Sequence, residues 1–203
     1  MALPILYSYR RCPYAMRARM ALSYAGIDVE TREISLKAKP SEMLAVSPKA
    51  TVPVLVLQDG ALLEESLAIM YWALQKRDEE GWLDVNRVML QTLISENDTS
   101  FKQALDKYKY SIRFPEQSAD VYRAQSEVFL SKLELLLTQS AYLLKAKICL
   151  ADIAIFPFIR QFAGVDSVWF EAAPYPKLRA WLKALVASEL FVSIMKKQPT
   201  YIK

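Results

Sequence analysis

The chain has 203 residues, 53% of them hydrophobic, with 26 basic and 22 acidic side chains for a net charge of +4. That is the composition of a globular protein with room for one large or two small domains. Histidine is absent and cysteine occurs 2 times, at Cys12 and Cys149. This excludes Ser-His and Cys-His nucleophile pairs, His-based metal sites and a disulfide scaffold, so no metal is expected and a reducing, cytoplasmic setting is.

The charge is also dispersed. Residues 1–77 hold 10 basic and 7 acidic side chains, leaving 16 and 15 for the rest, so a nucleic-acid partner is not expected. The opening Met-Ala-Leu-Pro-Ile-Leu lacks a basic region and a small-residue cleavage site, which argues against a secretory signal. The most apolar later stretch, Ile148 to Ile159, is interrupted by Asp152 and Pro157. It is too short to span a bilayer, so no membrane association is expected.

In chain order, Leu3 to Tyr7 is a short apolar run that reads as a buried strand. The next stretch, Ser8-Tyr9-Arg10-Arg11-Cys12-Pro13-Tyr14-Ala15, opens an amphipathic helix with apolar Met16, Met20 and Leu22 that Gly26 closes. Pro13 suits the first helical position, where a missing N–H costs nothing. Cys12 therefore stands where strand turns into helix, facing unbonded amides and the positive end of the helix dipole, which favour thiolate over thiol. Arg10, Arg11, Arg17 and Arg19 add positive charge nearby. A cysteine at random is more often an inert buried hydrophobe, but this geometry activates sulfur. Ala15 stands where a second thiol would complete a C-x-x-C pair, so any covalent intermediate at Cys12 is a mixed one.

Val29 to Ile34 alternates like a half-buried strand. Lys37 to Pro48 is polar, with one short helix around Glu42 to Val46. Thr51 to Leu57 is strand-like, and Pro53, which cannot donate to a ladder, marks its first residue. Asp59-Gly60 is a hairpin signal joining it to Ala61-Leu62-Leu63. Glu64-Glu65-Ser66 then leads into a helix from Leu67 to Trp72. The order strand, helix, strand, helix, strand, strand, helix combines a right-handed parallel βαβ unit with a hairpin, the thioredoxin-like arrangement, over residues 1–77.

Gln75 to Gly81 is a charged breaker, and residues 78–85 read as a linker. From Val85 onward no strand pattern is found. Helical spacing runs through Asn86 to Tyr110, stops at Phe114-Pro115, resumes over Ser118 to Thr138, and returns in Cys149 to Phe162 and Pro174 to Ala187. Residues 86–203 are therefore an all-helical second domain. In Cys149-Leu150-Ala151-Asp152 a thiol, a weak acceptor, stands where a helix N-cap prefers a hydroxyl; Cys149 reads as structural. Lys107 to Arg113 interleaves bases and aromatics near a helix end.

Cys12-Pro13-Tyr14-Ala15, Val52-Pro53 and Glu65-Ser66, in this order on these elements, resemble the N-terminal domain of cytosolic glutathione S-transferases, most closely cysteine-type classes such as omega. The helical second domain extends the resemblance over essentially the whole chain. The resemblance implies that Cys12 is the nucleophile and that glutathione is the co-substrate. It implies that Tyr14 lines the glutathione site, that Lys39 holds the glycine carboxylate, and that the Val52 backbone, ahead of a cis Pro53, pairs with the cysteinyl part. Glu65 and Ser66 would take the γ-glutamyl end, Tyr108 and Phe114 would help line the acceptor site, and the protein would be a homodimer. Thiol transfer or dehydroascorbate reduction on a small electrophile or disulfide is the implied activity. Two alternatives stand beside it: conjugation by a first-strand hydroxyl at Tyr7, Ser8 or Tyr9, and a non-enzymatic regulator or scaffold of the same fold.

Overall fold

The computed structural model describes residues 2–202. Two compact units result: one runs through Glu80 and takes in the segment from Ser188 onward, and the other is Gly81–Ala187.

The first unit is built on β1 (Ile5–Ser8), α1 (Pro13–Tyr24), β2 (Glu30–Glu33), α2 (Ser41–Val46), β3 (Val54–Val56), β4 (Leu62–Leu63) and α3 (Ser66–Lys76), the predicted order. The sheet order is β2-β1-β3-β4. β1 pairs parallel with β2, Leu6 opposite Thr31, and antiparallel with β3, Leu6 opposite Leu55. β3 and β4 form the hairpin, with Gly60 at φ +85° in its turn, where a side chain would be strained.

Period-two alternation decides the faces. Tyr7 and Val54 join Ile34 and Met43 in a buried cluster with Ile5 and Val56 packed against it. On the other face Leu6 and Leu55 are fully buried, as are Met16, Met20, Ile69 and Met70 from α1 and α3. Side chains of this kind contribute roughly 1.5–3 kcal/mol each when fully buried. Gly26, at φ +67°, follows α1 in the left-handed conformation its position calls for.

The second unit holds α4 (Arg87–Glu96), a π-helical segment Asn97–Phe101, α5 (Lys102–Lys109), α6 (Ala119–Gln139), α7 (Leu150–Ala163), α8 (Ser167–Ala172) and α9 (Pro176–Ala187). Asn86 and Ser118 cap α4 and α6 by accepting the Met89 and Val121 amides. α7 is buried from Leu150 through Ile159, although it contains Pro157. Asp152, itself fully buried, accepts from the amides of Leu143 and Cys149, the Cys149 thiol and the Trp181 indole, at 2.8–3.0 Å. This single carboxylate ties the start of α7 to α9 and to the loop before it. The Cys149 thiol donates a hydrogen bond to that carboxylate, which reaches back to the Cys149 amide in a capping box at the start of α7.

The chain's end departs from the sequence reading, which assigned 188–203 to the helical domain. The segment packs in the first unit. α10 (Glu189–Ile194) buries Phe191, Arg19 Nη2 reaches Met195 Sδ at 3.8 Å, and the Tyr201 amide donates to the Glu33 carbonyl at 2.7 Å. β2 is an edge strand of the sheet, and the tail meets it at an isolated parallel bridge between Glu33 and Thr200, covering a carbonyl that would otherwise face solvent. Arg32 of β2 lies over the Tyr201 ring at 4.6 Å and over Tyr7 at 5.5 Å, which fastens the tail to the sheet.

Two substitutions test this account. Ala50 holds φ +55° in the loop before β3, a conformation that costs an L-residue about 1–2 kcal/mol. Ala50→Gly should raise stability by about 0.5–1 kcal/mol after the glycine's greater unfolded freedom is allowed for, and an unchanged or lower urea midpoint would contradict the strain. Burial and Asp152 push the Cys149 thiol up from 9.0 to about 12. Between those values the folded protein keeps a proton that the unfolded chain releases, so stability falls as pH rises, by at most about 1.4 kcal/mol per pH unit. Cys149→Ser should add about 1 kcal/mol near neutrality, as a better cap, and flatten that alkaline slope; denaturation curves at several pH values read both effects.

Candidate active site

Cys12 is the N-cap of α1, with φ −76°, ψ 122° and Pro13 immediately inside the helix. Its amide donates to the Tyr9 carbonyl at 3.0 Å, closing a tight turn off β1, and its side chain makes no cap bond. The sulfur stands half-exposed, 3.8 Å from the Val52 carbonyl oxygen. Val52-Pro53 is a cis peptide, and Val54 behind it is locked into β3 opposite Tyr7. Two separate loops, one from β1 and one ahead of β3, thus present a thiol and a main-chain edge to each other.

The turn carrying Cys12 is braced from below. Arg19 is nearly buried; its guanidinium donates to Ser8 Oγ at 2.5 Å, to the Tyr9 carbonyl at 3.5 Å and to the Arg10 carbonyl at 2.9 Å. The Arg10 amide in turn donates to Glu33 Oε1 at 2.7 Å. Burial lowers Arg19 to about 10 against the pull of Glu33 and Cys12, so it stays a cation at neutral pH. The coupling with Cys12 is mutual: a sulfur anion raises Arg19, and the Arg19 cation favours that anion.

The remaining candidates sort by contact. Arg17 lies under the Tyr14 ring, 5.0 Å from its centroid, and donates from Nε to Ser66 Oγ at 3.0 Å. Cys12, Tyr14, Val52, Pro53 and Ser66 are therefore linked through α1. Glu65 and Ser66 start α3 facing opposite ways: Ser66 is buried against Arg17, whereas Glu65 is exposed and paired with Lys49 at 2.7 Å. Lys39 is half-buried just before α2 and makes no ion pair among the described residues.

In the second unit Tyr108 packs its ring on Phe162 at 5.4 Å and is only 5% exposed, so the core already uses most of its surface. Burial pushes its phenol up while Arg123 pulls it back. Phe114 is half-buried and its carbonyl accepts from the Tyr122 hydroxyl at 3.2 Å.

The first-strand hydroxyls are engaged elsewhere. Tyr7 and Ser8 are buried and accept from Arg32 and Arg19; Tyr9 accepts from Arg11 at 2.8 and 3.0 Å. A separate cavity of about 240 Å³ lies among α1, β2 and α10, with Arg10, Arg19 and Lys196 facing Asp28 and Glu33. Cys12 does not line it.

Sequence reasoning missed Lys49, and it took Arg17 and Arg19 only as nearby charge. The available signal was their place within α1: both stand among residues that are apolar all round, where an arginine must be answered by specific acceptors.

A thioredoxin-like sheet with a cysteine at the first helix start and a cis-proline loop facing it, followed by a helical unit, is the glutathione S-transferase fold. Family models described as the N-terminal and C-terminal domains of glutathione S-transferase match residues 6–81 and 116–184. Maleylacetoacetate isomerase from Mus musculus is 30% identical, covering 97% of this chain and 94% of its own length. Glutathione S-transferase omega-1 from Sus scrofa is 27% identical, covering 89% and 76%. A glutathione transferase from Phanerochaete chrysosporium, in complex with oxidized glutathione, superimposes with a TM-score of 0.80 at 20% identity, over 95% of this chain and 94% of its own. The chain belongs to the glutathione S-transferase superfamily.

The two sulfurs should differ sharply. Iodoacetamide near neutral pH is expected to modify native protein once, at Cys12, and to reach Cys149 only after denaturation, because burial keeps that sulfur covered and protonated. Peptide mapping showing Cys149 modified first would overturn this assignment.

Proposed function

We propose that the protein is a cysteine-type glutathione transferase that works by thiol transfer through Cys12. The observation that carries this reading is the half-exposed Cys12 sulfur at the α1 N-terminus, 3.8 Å from the Val52 carbonyl. The Cys12 thiolate attacks the glutathionyl sulfur of a mixed disulfide; a Cys12–glutathione disulfide forms and the other thiolate leaves. A second glutathione thiolate then attacks the glutathionyl sulfur, giving glutathione disulfide and returning Cys12 to the thiolate. Tyr14, Lys39, Val52, Pro53, Glu65 and Ser66 hold the tripeptide, and Tyr108 and Phe114 are the acceptor-side candidates. The engaged hydroxyls of Tyr7, Ser8 and Tyr9 weigh against conjugation from the first strand. The likeness to omega-1 supports the same choice.

The protein acts as a cytoplasmic homodimer in this reading. Val121, Val128 and Leu135, exposed at seven-residue spacing along α6, offer an apolar row for a second copy.

A second reading is favoured by the identity with mouse maleylacetoacetate isomerase along nearly the whole chain. There, glutathione would add to a cis double bond between carbonyl groups and leave after rotation, so that nothing is oxidised and no glutathione is consumed. Glutathione disulfide production separates the two readings. Retention on immobilised glutathione separates both from a scaffold.

Cys12→Ser should lower thiol-transfer turnover by about 100-fold or more. Mass spectrometry after incubation with glutathione disulfide should find the glutathione adduct on Cys12. Retained turnover in Cys12→Ser together with loss in Tyr9→Phe would reject the assignment.

A further inference from the structure

We infer that the cavity among α1, β2 and α10 is a binding site for a short dicarboxylate, separate from the place where Cys12 stands. The cavity lies wholly within the first unit and measures about 240 Å³. At about 30 Å³ for each water molecule, that is room for about eight waters, or for an acid of about five carbons.

The lining selects the charge. Arg10 reaches the cavity from the β1 turn and Lys196 from the tail beyond α10, and neither makes an ion pair among the described residues. Arg19 forms part of the wall as well, and it is only 8% exposed. Its Nη groups are taken up by Ser8, Tyr9, Arg10 and Met195, whereas its Nε has no acceptor. A buried donor left unused is costly, and the cavity is the space beside this residue into which an acceptor can come. Two acids share the lining without answering all three cations. Glu33 gives Oε1 to the Arg10 amide, and Asp28 is exposed and pairs with none of the described residues. Burial lowers Arg19 to about 10 despite Glu33, the mark of a cation short of compensation.

The lining also selects the shape. Leu6, Leu22 and Ile194 add apolar surface to the charged groups. An acid with two charged ends and a hydrocarbon middle matches cations on two separate elements and an apolar wall. A monocarboxylate would leave Arg10 or Lys196 without a partner. Filling the site bears on the sulfur too, because Arg19 is the cation that favours an anion at Cys12. A dicarboxylate in the cavity draws on the same charge and makes the thiolate less stable.

Titration calorimetry with glutarate and pentanoate tests the site, since the two have the same chain length and differ by one carboxylate. The wild type should bind glutarate about tenfold or more tightly than pentanoate, the scale of one charge-assisted contact. Lys196→Gln and Arg10→Gln should each bring the two acids to within about threefold of one another. Lys197→Gln removes an exposed lysine that does not line the cavity, and it should leave the preference intact. An equal loss in Lys197→Gln marks attraction to a basic surface and overturns the inference. Undetectable glutarate binding overturns it as well, and so does an unchanged preference in Lys196→Gln, which places the acid elsewhere. At matched ionic strength, saturating glutarate should slow iodoacetamide at Cys12 by about twofold or more, and pentanoate should not. An unchanged or faster rate rejects the coupling through Arg19.

Discussion

Two guanidinium groups buried two residues apart on α1 hold the site together. Removing a charge from water costs several kcal/mol even after the protein relaxes, so Arg17 and Arg19 persist only because fixed acceptors meet them. Arg19 faces back to the β1 turn and spends its N–H groups on Ser8, Tyr9 and Arg10. Arg17, on the opposite side of the helix, reaches the first residue of α3. One helix thereby sets the position of the turn that carries the sulfur and of the start of α3. The charge that makes each arginine expensive to bury also makes its bonds directional.

Glu33 shows how far this frame extends. It lies on an edge strand, yet its side chain accepts the Arg10 amide and offsets part of the charge on Arg19, while its carbonyl receives the Tyr201 amide. The C-terminal tail is thus two bonds away from the turn that presents Cys12. Residues 188 onward belong with the sheet because their acceptors and apolar contacts are there, with Phe191 buried and Met195 against Arg19. Proximity in sequence to the helical unit has no bearing on that balance.

The elements of the first unit were legible because each has a strong local cause. Pro13, Gly26, Pro53 and Gly60 punctuate the chain at backbone conformations that few other residues tolerate, and the apolar periods between them change from two to nearly four. Toward the end of the chain α8 in the second unit and α10 in the first, of 6 residues each, are shorter than a periodic pattern can reveal. The π-helical segment Asn97–Phe101 has no composition of its own and arises inside a helix that the spacing does predict. At the site, Cys12, Val52 and Ser66 could be named from the chain, since the motif residues are few and ordered. The Lys49–Glu65 pair and the burial of Arg17 and Arg19 could not, because they depend on which loop returns to which helix, and that is set by tertiary packing rather than by neighbours in sequence.

The same arginines bear on which nucleophile the turn offers. Tyr7, Ser8 and Tyr9 each carry a hydroxyl close to the β1 end, and each accepts from a guanidinium: Arg32, Arg19 and Arg11 respectively. Tyr7 and Ser8 are buried besides, so neither can approach a substrate without opening the sheet. Cys12 lies past the last of these contacts, at the N-cap, where the backbone is still extended, the helix begins at the next residue and the side chain makes no cap bond. A hydroxyl at that N-cap would satisfy the first-turn amides and be held by them. Sulfur is a weak acceptor and leaves those amides to stabilise a charge instead. In the proposed reading, the choice of a thiolate over an alkoxide or phenolate follows from where each side chain falls relative to the arginines, and the proposed catalytic class is a property of this turn more than of the residue types it contains.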